Sequence, residues 1–152
     1  MLPFLAACAV DAPGSSDAPP FEPVGDMQQL MATVVEPAAD FYWDAVGTII
    51  DLEGTEEIFP RSDEEWEAVR NAAYAIAESG NLMMMEGRGA DEDAWRAMSV
   101  AMIQVGRVAI AAAEAKNAAA VFDAGAEVYA VCSACHATYA LETIPPSELP
   151  GN

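Results

Sequence analysis

The chain has little of what most sites are built from: one histidine, three cysteines and six basic residues among 152, against 25 acidic ones. The shortage of lysine and arginine leaves a formal charge of −19 and sets nucleic acid and anionic membrane surfaces aside as partners. A four-ligand zinc site lacks a second ligand pair, because Cys8 lies far from Cys132 and Cys135 and there is no further imidazole. Strand-like alternation is missing, and no run of eighteen consecutive apolar residues is there to span a bilayer. What is abundant is alanine, in a chain that is 53% hydrophobic with few β-branched runs, a composition suited to helices. The length fits one domain with a sizeable core.

The lone histidine ends the string Val131-Cys-Ser-Ala-Cys-His136. C-x-x-C-H is the c-type haem attachment sequence: two thiols add across the porphyrin vinyl groups and the histidine binds iron. On a helix, Cys132, Cys135 and His136 project from one side, where a flat macrocycle can lie. A dithiol oxidoreductase would instead place the pair at the start of a helix after a strand. Here it falls late in an alanine-rich helical stretch. The cofactor expected is therefore one covalently attached haem c. With the histidine committed to iron, and carboxylates in solvated clusters such as Glu64-Glu65 and Asp91-Glu92-Asp93, nothing resembles a hydrolytic site. The chain does not read as an enzyme.

Helical periodicity occurs four times. The first helix starts behind Asp26, with Met27, Met31, Val34, Ala38, Phe41 and Ala45 as its stripe. Pro37 predicts a kink near residues 33–37 rather than an end. Gly54 and Pro60 punctuate the loop that follows. The second begins at Ser62 with Glu65 three residues on, a capping box, and its stripe is Trp66, Val69, Ala73, Ile76, Gly80 and Met83. The third opens at Asp91-Glu92-Asp93 and carries Trp95, Met98, Met102, Val105, Ala109 and Ala112. The fourth runs from about Ala118 to Leu141 and holds the motif. Gly87, Gly89 and Asn117 mark the junctions. The expected fold is all-α, an antiparallel four-helix bundle over residues 25–141, with haem attached near the C-terminal end of the fourth helix. Small residues Ala124, Ala126, Ala130 and Ala134 would leave room for the ring. Trp43, Trp66, Trp95 and Phe41 read as core. Met83-Met84-Met85 cannot all face inward, so at least one is exposed or meets a partner.

Leu5-Ala-Ala-Cys8 matches a bacterial lipoprotein cleavage box, in which the cysteine is lipidated, although no basic region precedes it and the apolar run is short. Residues 1–8 thus read as a partial lipoprotein-type signal, 9–24 as a flexible tether, and 142–152, with Pro145, Pro146 and Pro150, as a disordered tail. Export to the periplasm or cell envelope agrees with haem attachment outside the bacterial inner membrane. A lipid on Cys8 would be the membrane contact.

A haem motif at the end of a four-helix chain resembles the class II cytochromes c, the cytochrome c′ family, over roughly residues 26–141. Tyr139 matches the aromatic residue three after the histidine; Ala140 stands where a basic residue often follows, so that cation's role towards a haem propionate or a partner would fall to Arg88 or Arg107, or go unfilled. The resemblance implies two branches. One presents an apolar residue from the first helix and leaves iron five-coordinate for NO or CO. The other supplies methionine from a Leu-Met pair and carries electrons; Leu30-Met31 stands in that place.

With no second histidine, a sixth protein ligand would be a thioether from Met27, Met31, Met83, Met84, Met85, Met98 or Met102, although methionines at helical spacing are commonly core. The resemblance selects Met31, with His136 opposite. The expectation is a monohaem carrier of single electrons whose redox partners present a basic docking surface, and the resemblance leaves a homodimer open. The rivals are a five-coordinate NO- or CO-binding cytochrome c′ and a haem-free helical interaction lipoprotein.

Overall fold

A computed structural model describes residues 21–89 and 93–140. The signal-like segment 1–8, most of the tether and the tail 142–152 lie outside the described residues, as do Asp91, Glu92 and Leu141. The elements are α1 (Met27–Leu30), a π-helical turn (Met31–Val35), α2 (Glu36–Asp44), β1 (Gly47–Ile50), β2 (Thr55–Ile58), α3 (Asp63–Met83), α4 (Asp93–Glu114) and α5 (Ala118–Tyr139). α1, the wide turn and α2 run on as one rod, so four helical rods pack together.

The caps explain the starts. Asp26 accepts from the Gln29 N–H at 2.8 Å, and Gln29 Oε1 accepts from the Asp26 N–H at 3.0 Å. Ser62 and Glu65 make the same reciprocal pair ahead of α3. Asn117 accepts from the Ala120 N–H at 3.1 Å and opens α5. Lys116, at φ 50°, turns the chain between α4 and α5, and its Nζ meets Asp63 Oδ1 at 2.5 Å, holding the start of α3 beside that turn. At the other end of the bundle the Arg88 guanidinium donates to the Gly25 carbonyl at 2.9 and 3.1 Å. The beginning of α1 thus lies by the end of α3, and the rods are antiparallel.

The second stripe is buried as expected, from Trp66 through Met83. In the third, Trp95, Met102, Ala109 and Ala112 are buried while Met98 and Val105 are half-buried, and Ser99, Gly106 and Ala113 join the core. The first stripe is displaced by one position. Its buried residues are Leu30, Val35, Ala39, Tyr42 and Val46, whereas Met27, Met31, Val34, Ala38 and Ala45 are half-buried. Phe41 is 50% exposed, so it is not core; its neighbour Tyr42 is, at 0%. Tyr42 donates to the Ala109 carbonyl, and burial raises its hydroxyl pKa to about 12. Pro37 does not end the rod: the Glu36 N–H reaches back five residues to the Met31 carbonyl, and the helix widens there.

The loop expected between the first two helices contains a small antiparallel hairpin, an addition to a mostly helical fold that is compatible with an all-α bundle. Ile50 faces Thr55 across a turn of residues 51–54, where Asp51 Oδ1 accepts from the N–H groups of Glu53 and Gly54. Gly54 has φ 145°, open to glycine. The β-branched run Thr48-Ile49-Ile50, with Thr55 and Ile58 opposite, is the reason: it prefers extended backbone. Helices α4 and α5 are also long and apolar enough to cross a membrane, by length and composition alone. Both pack as bundle helices, α4 on α3 and α5 on α4.

α3 and α4 approach most closely at two glycines. A methyl on Gly106 would stand 2.6 Å from the Ala77 Cα, and one on Gly80 would stand 2.5 Å from the Ser99 carbonyl oxygen. Alanine gains about 1 kcal/mol over glycine within a helix, while overpacking a core costs about 1–3 kcal/mol. Backbone contacts have no rotamer to yield, so the cost wins. Gly106→Ala is expected to lower stability by about 1–2 kcal/mol in urea unfolding; unchanged or raised stability would contradict this packing.

Candidate functional site

Near the end of α5 the helix turns Cys135 into the bundle, leaves Cys132 half-buried and sets His136 on the exposed rim. Neither thiol is in a disulfide. Three-residue spacing places the two thiols on one side of the helix, as expected. The structure refines this: that side straddles the border between core and solvent. Ala126, Ala130 and Ala134 are exposed, away from the buried residues of α5, and only Ala124 is buried. Helical phase therefore overrides the expectation that these alanines line a ring site.

Cys135 belongs to a small apolar cluster separate from the main core, with Leu30, Val35, Met83 and Trp95. Met27, Met31, Val34, Leu82, Met98 and Tyr139 pack against it, half-buried. Residues from the two ends of the described chain therefore meet at one end of the bundle. Trp95 anchors the cluster: its indole N–H donates to the Met83 carbonyl at 2.8 Å, and its ring stands edge-on to Tyr139 with centroids 5.0 Å apart.

Of the sequence-selected residues, Cys135 and Met31 share this cluster, Cys132 borders the main core, and His136 lies beside both on α5. Met83 is 2% exposed and Met98 half-buried in the same cluster, so thioethers beyond Met31 surround Cys135. The sequence put Met98 among the candidate thioethers and Leu30 beside Met31, without bringing either next to Cys135. A signal was present, since Leu30 and Met98 each lie in the turn nearest the motif end of their helix. Met84, at 37%, is the exposed member of its run, and Met85 meets Arg88. Met102 lies in the main core. Trp66 and Trp95 are core as expected, while Trp43 is half-buried and donates to the Gly125 carbonyl at 2.9 Å.

The two arginines separate. Arg88 ties the motif end together through Gly25, the Leu82 carbonyl and Met85 Sδ. Arg107 lies on a different face, in a cleft of about 300 Å³ with Tyr74, Glu78 and Asn81 that includes no residue of α5. Among the described residues, no three His, Cys, Asp or Glu side chains converge to hold a metal ion.

Burial, followed by the charge of Cys135, pushes the Cys132 thiol up to about 11, and burial raises Cys135 as well. Both are neutral thiols at pH 7, matched to apolar surroundings and inert as thiolates. A raised folded-state pKa contributes stability below the ordinary thiol value of 9, and this is lost as pH climbs towards 11. Iodoacetamide should therefore label Cys132 of the folded, haem-free chain slowly at pH 8. Labelling should accelerate about tenfold per pH unit until near pH 11; a plateau by pH 9 would contradict the burial of this thiol. No family model, no curated protein and no solved structure matches the chain.

Proposed function

We propose that the chain is a c-type cytochrome of the class II kind, carrying single electrons in the periplasm or cell envelope. Thioether bonds at Cys132 and Cys135 would hold one haem, His136 would bind one side of the iron and Met31 the other. The observation that carries this reading is the shared cluster: Cys135 and Met31, far apart in the chain, pack on the same apolar end of the bundle.

The residues present fit a porphyrin. Two unbridged thiols stand three apart on one helix, neutral and partly desolvated, next to an imidazole that the core does not consume. Large apolar side chains and half-buried thioethers pack in the cluster that holds Cys135. Bound there, a haem would supply a ferric–ferrous couple, its potential raised by thioether ligation. The chain's own part is to fix the thiols on a rigid helix, exclude water through Trp95, Leu30 and Val35, and present a neutral sulfur. Arg88 is clasped at the same end and would be available to a propionate there. The acidic surface would draw a basic redox partner at low salt.

The cytochrome c′ alternative has one observation in its favour. Leu30, not Met31, is the fully buried member of the pair beside Cys135. A leucine facing the iron would leave it five-coordinate and open to NO or CO.

Production alongside haem-attachment machinery is expected to yield protein carrying one tetrapyrrole that stays bound through denaturation. Cys132→Ala with Cys135→Ala should abolish this, and a mass without haem would sink the proposal, leaving the haem-free interaction lipoprotein. The ferric spectrum should be low-spin with a methionine–iron charge-transfer band. Met31→Ala should remove that band and admit CO to the ferrous protein at neutral pH. Tight CO binding by the parent protein would favour the five-coordinate reading.

A further inference from the structure

Buried positions along the first rod are Leu30, Val35, Ala39, Tyr42 and Val46. One step, from Leu30 to Val35, is five residues; the others are three and four. That step spans the π-helical turn Met31–Val35, closed by the Glu36 N–H on the Met31 carbonyl. The cause lies next to it. Pro37 has no N–H to give the Thr33 carbonyl, and its ring would strike that oxygen in a regular helix. Thr33 adds a bend by donating its hydroxyl to the Gln29 carbonyl at 2.7 Å.

In an unbroken α-helix Met31, four before Val35, would occupy the buried stripe, and Leu30 would turn about 100° further away from the core. The wide turn removes that choice. Both side chains reach the Cys135 cluster, Leu30 fully buried and Met31 half-buried at its margin. A sulfur enclosed at the centre of a core is filler, whereas a sulfur at the margin keeps a lone pair open to a metal.

We infer that the wide turn at Met31–Val35 is a positioning element that brings the whole Leu30–Met31 pair to the inner face, so that Leu30 seals the bundle end and Met31 is left to ligate. This rests on the haem reading of Cys132, Cys135 and His136, and it adds the residues that set the ligand's phase: Thr33, which fills the extra place in the turn, and Pro37, which forces it.

The inference predicts an asymmetry. Deleting Thr33 together with Pro37→Ala shortens the five-residue step to four and lets a regular helix form, which preserves the phase of Leu30 and Met31. Inserting two alanines between Ala32 and Thr33 lengthens it to seven and, with the wide turn kept, turns both residues away. Peroxide oxidation of the full-length, haem-free chain, followed by peptide mass spectrometry, reads this directly, with exposed Met84 as the fast standard and buried Met102 as the slow one. Met31 should oxidise several-fold more slowly than Met84 in the parent and in the deletion, and as fast as Met84 in the insertion, while Met102 stays protected. In the haem-loaded proteins, the methionine–iron band should survive the deletion and vanish on insertion.

Deletion and insertion acting alike would overturn the inference. Should the insertion also unprotect Met102, the double exchange Leu30→Met with Met31→Leu decides, since it conserves volume. The methionine it places at position 30 should oxidise more slowly than Met84; a rate equal to Met84 would overturn the inference. If the parent attaches no haem, or shows no methionine band, the proposed function or its Met31 assignment fails, while the oxidation rates still settle the turn's role.

Discussion

Four rods end on one patch of apolar side chains, and the burial of Trp95 there is what the motif end depends on. The ring is large, and burying it contributes on the order of 2–3 kcal/mol. Its N–H would cost about 1–3 kcal/mol if left unpaired away from water. The Met83 carbonyl at the end of α3 removes that penalty. This one hydrogen bond joins the start of α4 to the end of α3, and Tyr139 packed on the same ring joins the end of α5. Cys135 shares this cluster with side chains from other helices as well as with Tyr139 of its own.

A second apolar layer, which includes Tyr42, Val69, Ile76 and Val121, fills the remainder of the bundle. Its tightness comes from small residues. Gly80 and Gly106 let α3 and α4 approach until one backbone touches the other, so their relative position has little slack. Rigidity of this kind fixes side chains from different helices in one relation to each other.

Most of the fold was legible in the residues, and the exceptions share a cause. Periodicity found α3 and α4 because each is an uninterrupted helix with a single phase, marked by Ser62 or by Trp95. The stripe of the first rod was misread by one position because a five-residue turn breaks the phase, and Pro37 signals a disturbance without saying whether the helix bends or widens. The hairpin was missed because its strands are four residues long and exposed, so Thr48-Ile49-Ile50 has no buried partner to create an alternation. At the candidate site, Cys132, Cys135 and His136 were legible from spacing alone. The company they keep was not: Leu30, Met83, Met98 and Trp95 converge only through tertiary packing, which a single sequence does not encode locally.

The clasp between Arg88 and the Gly25 carbonyl determines where the polypeptide enters the bundle. Entry is beside Cys135, and the hairpin sits at the far pole, about 30 Å away along α3. Whatever grips the chain upstream of Phe21 therefore holds the molecule by its sulfur-rich pole. The leucine-tipped hairpin is presented outward, like the free end of a moored float.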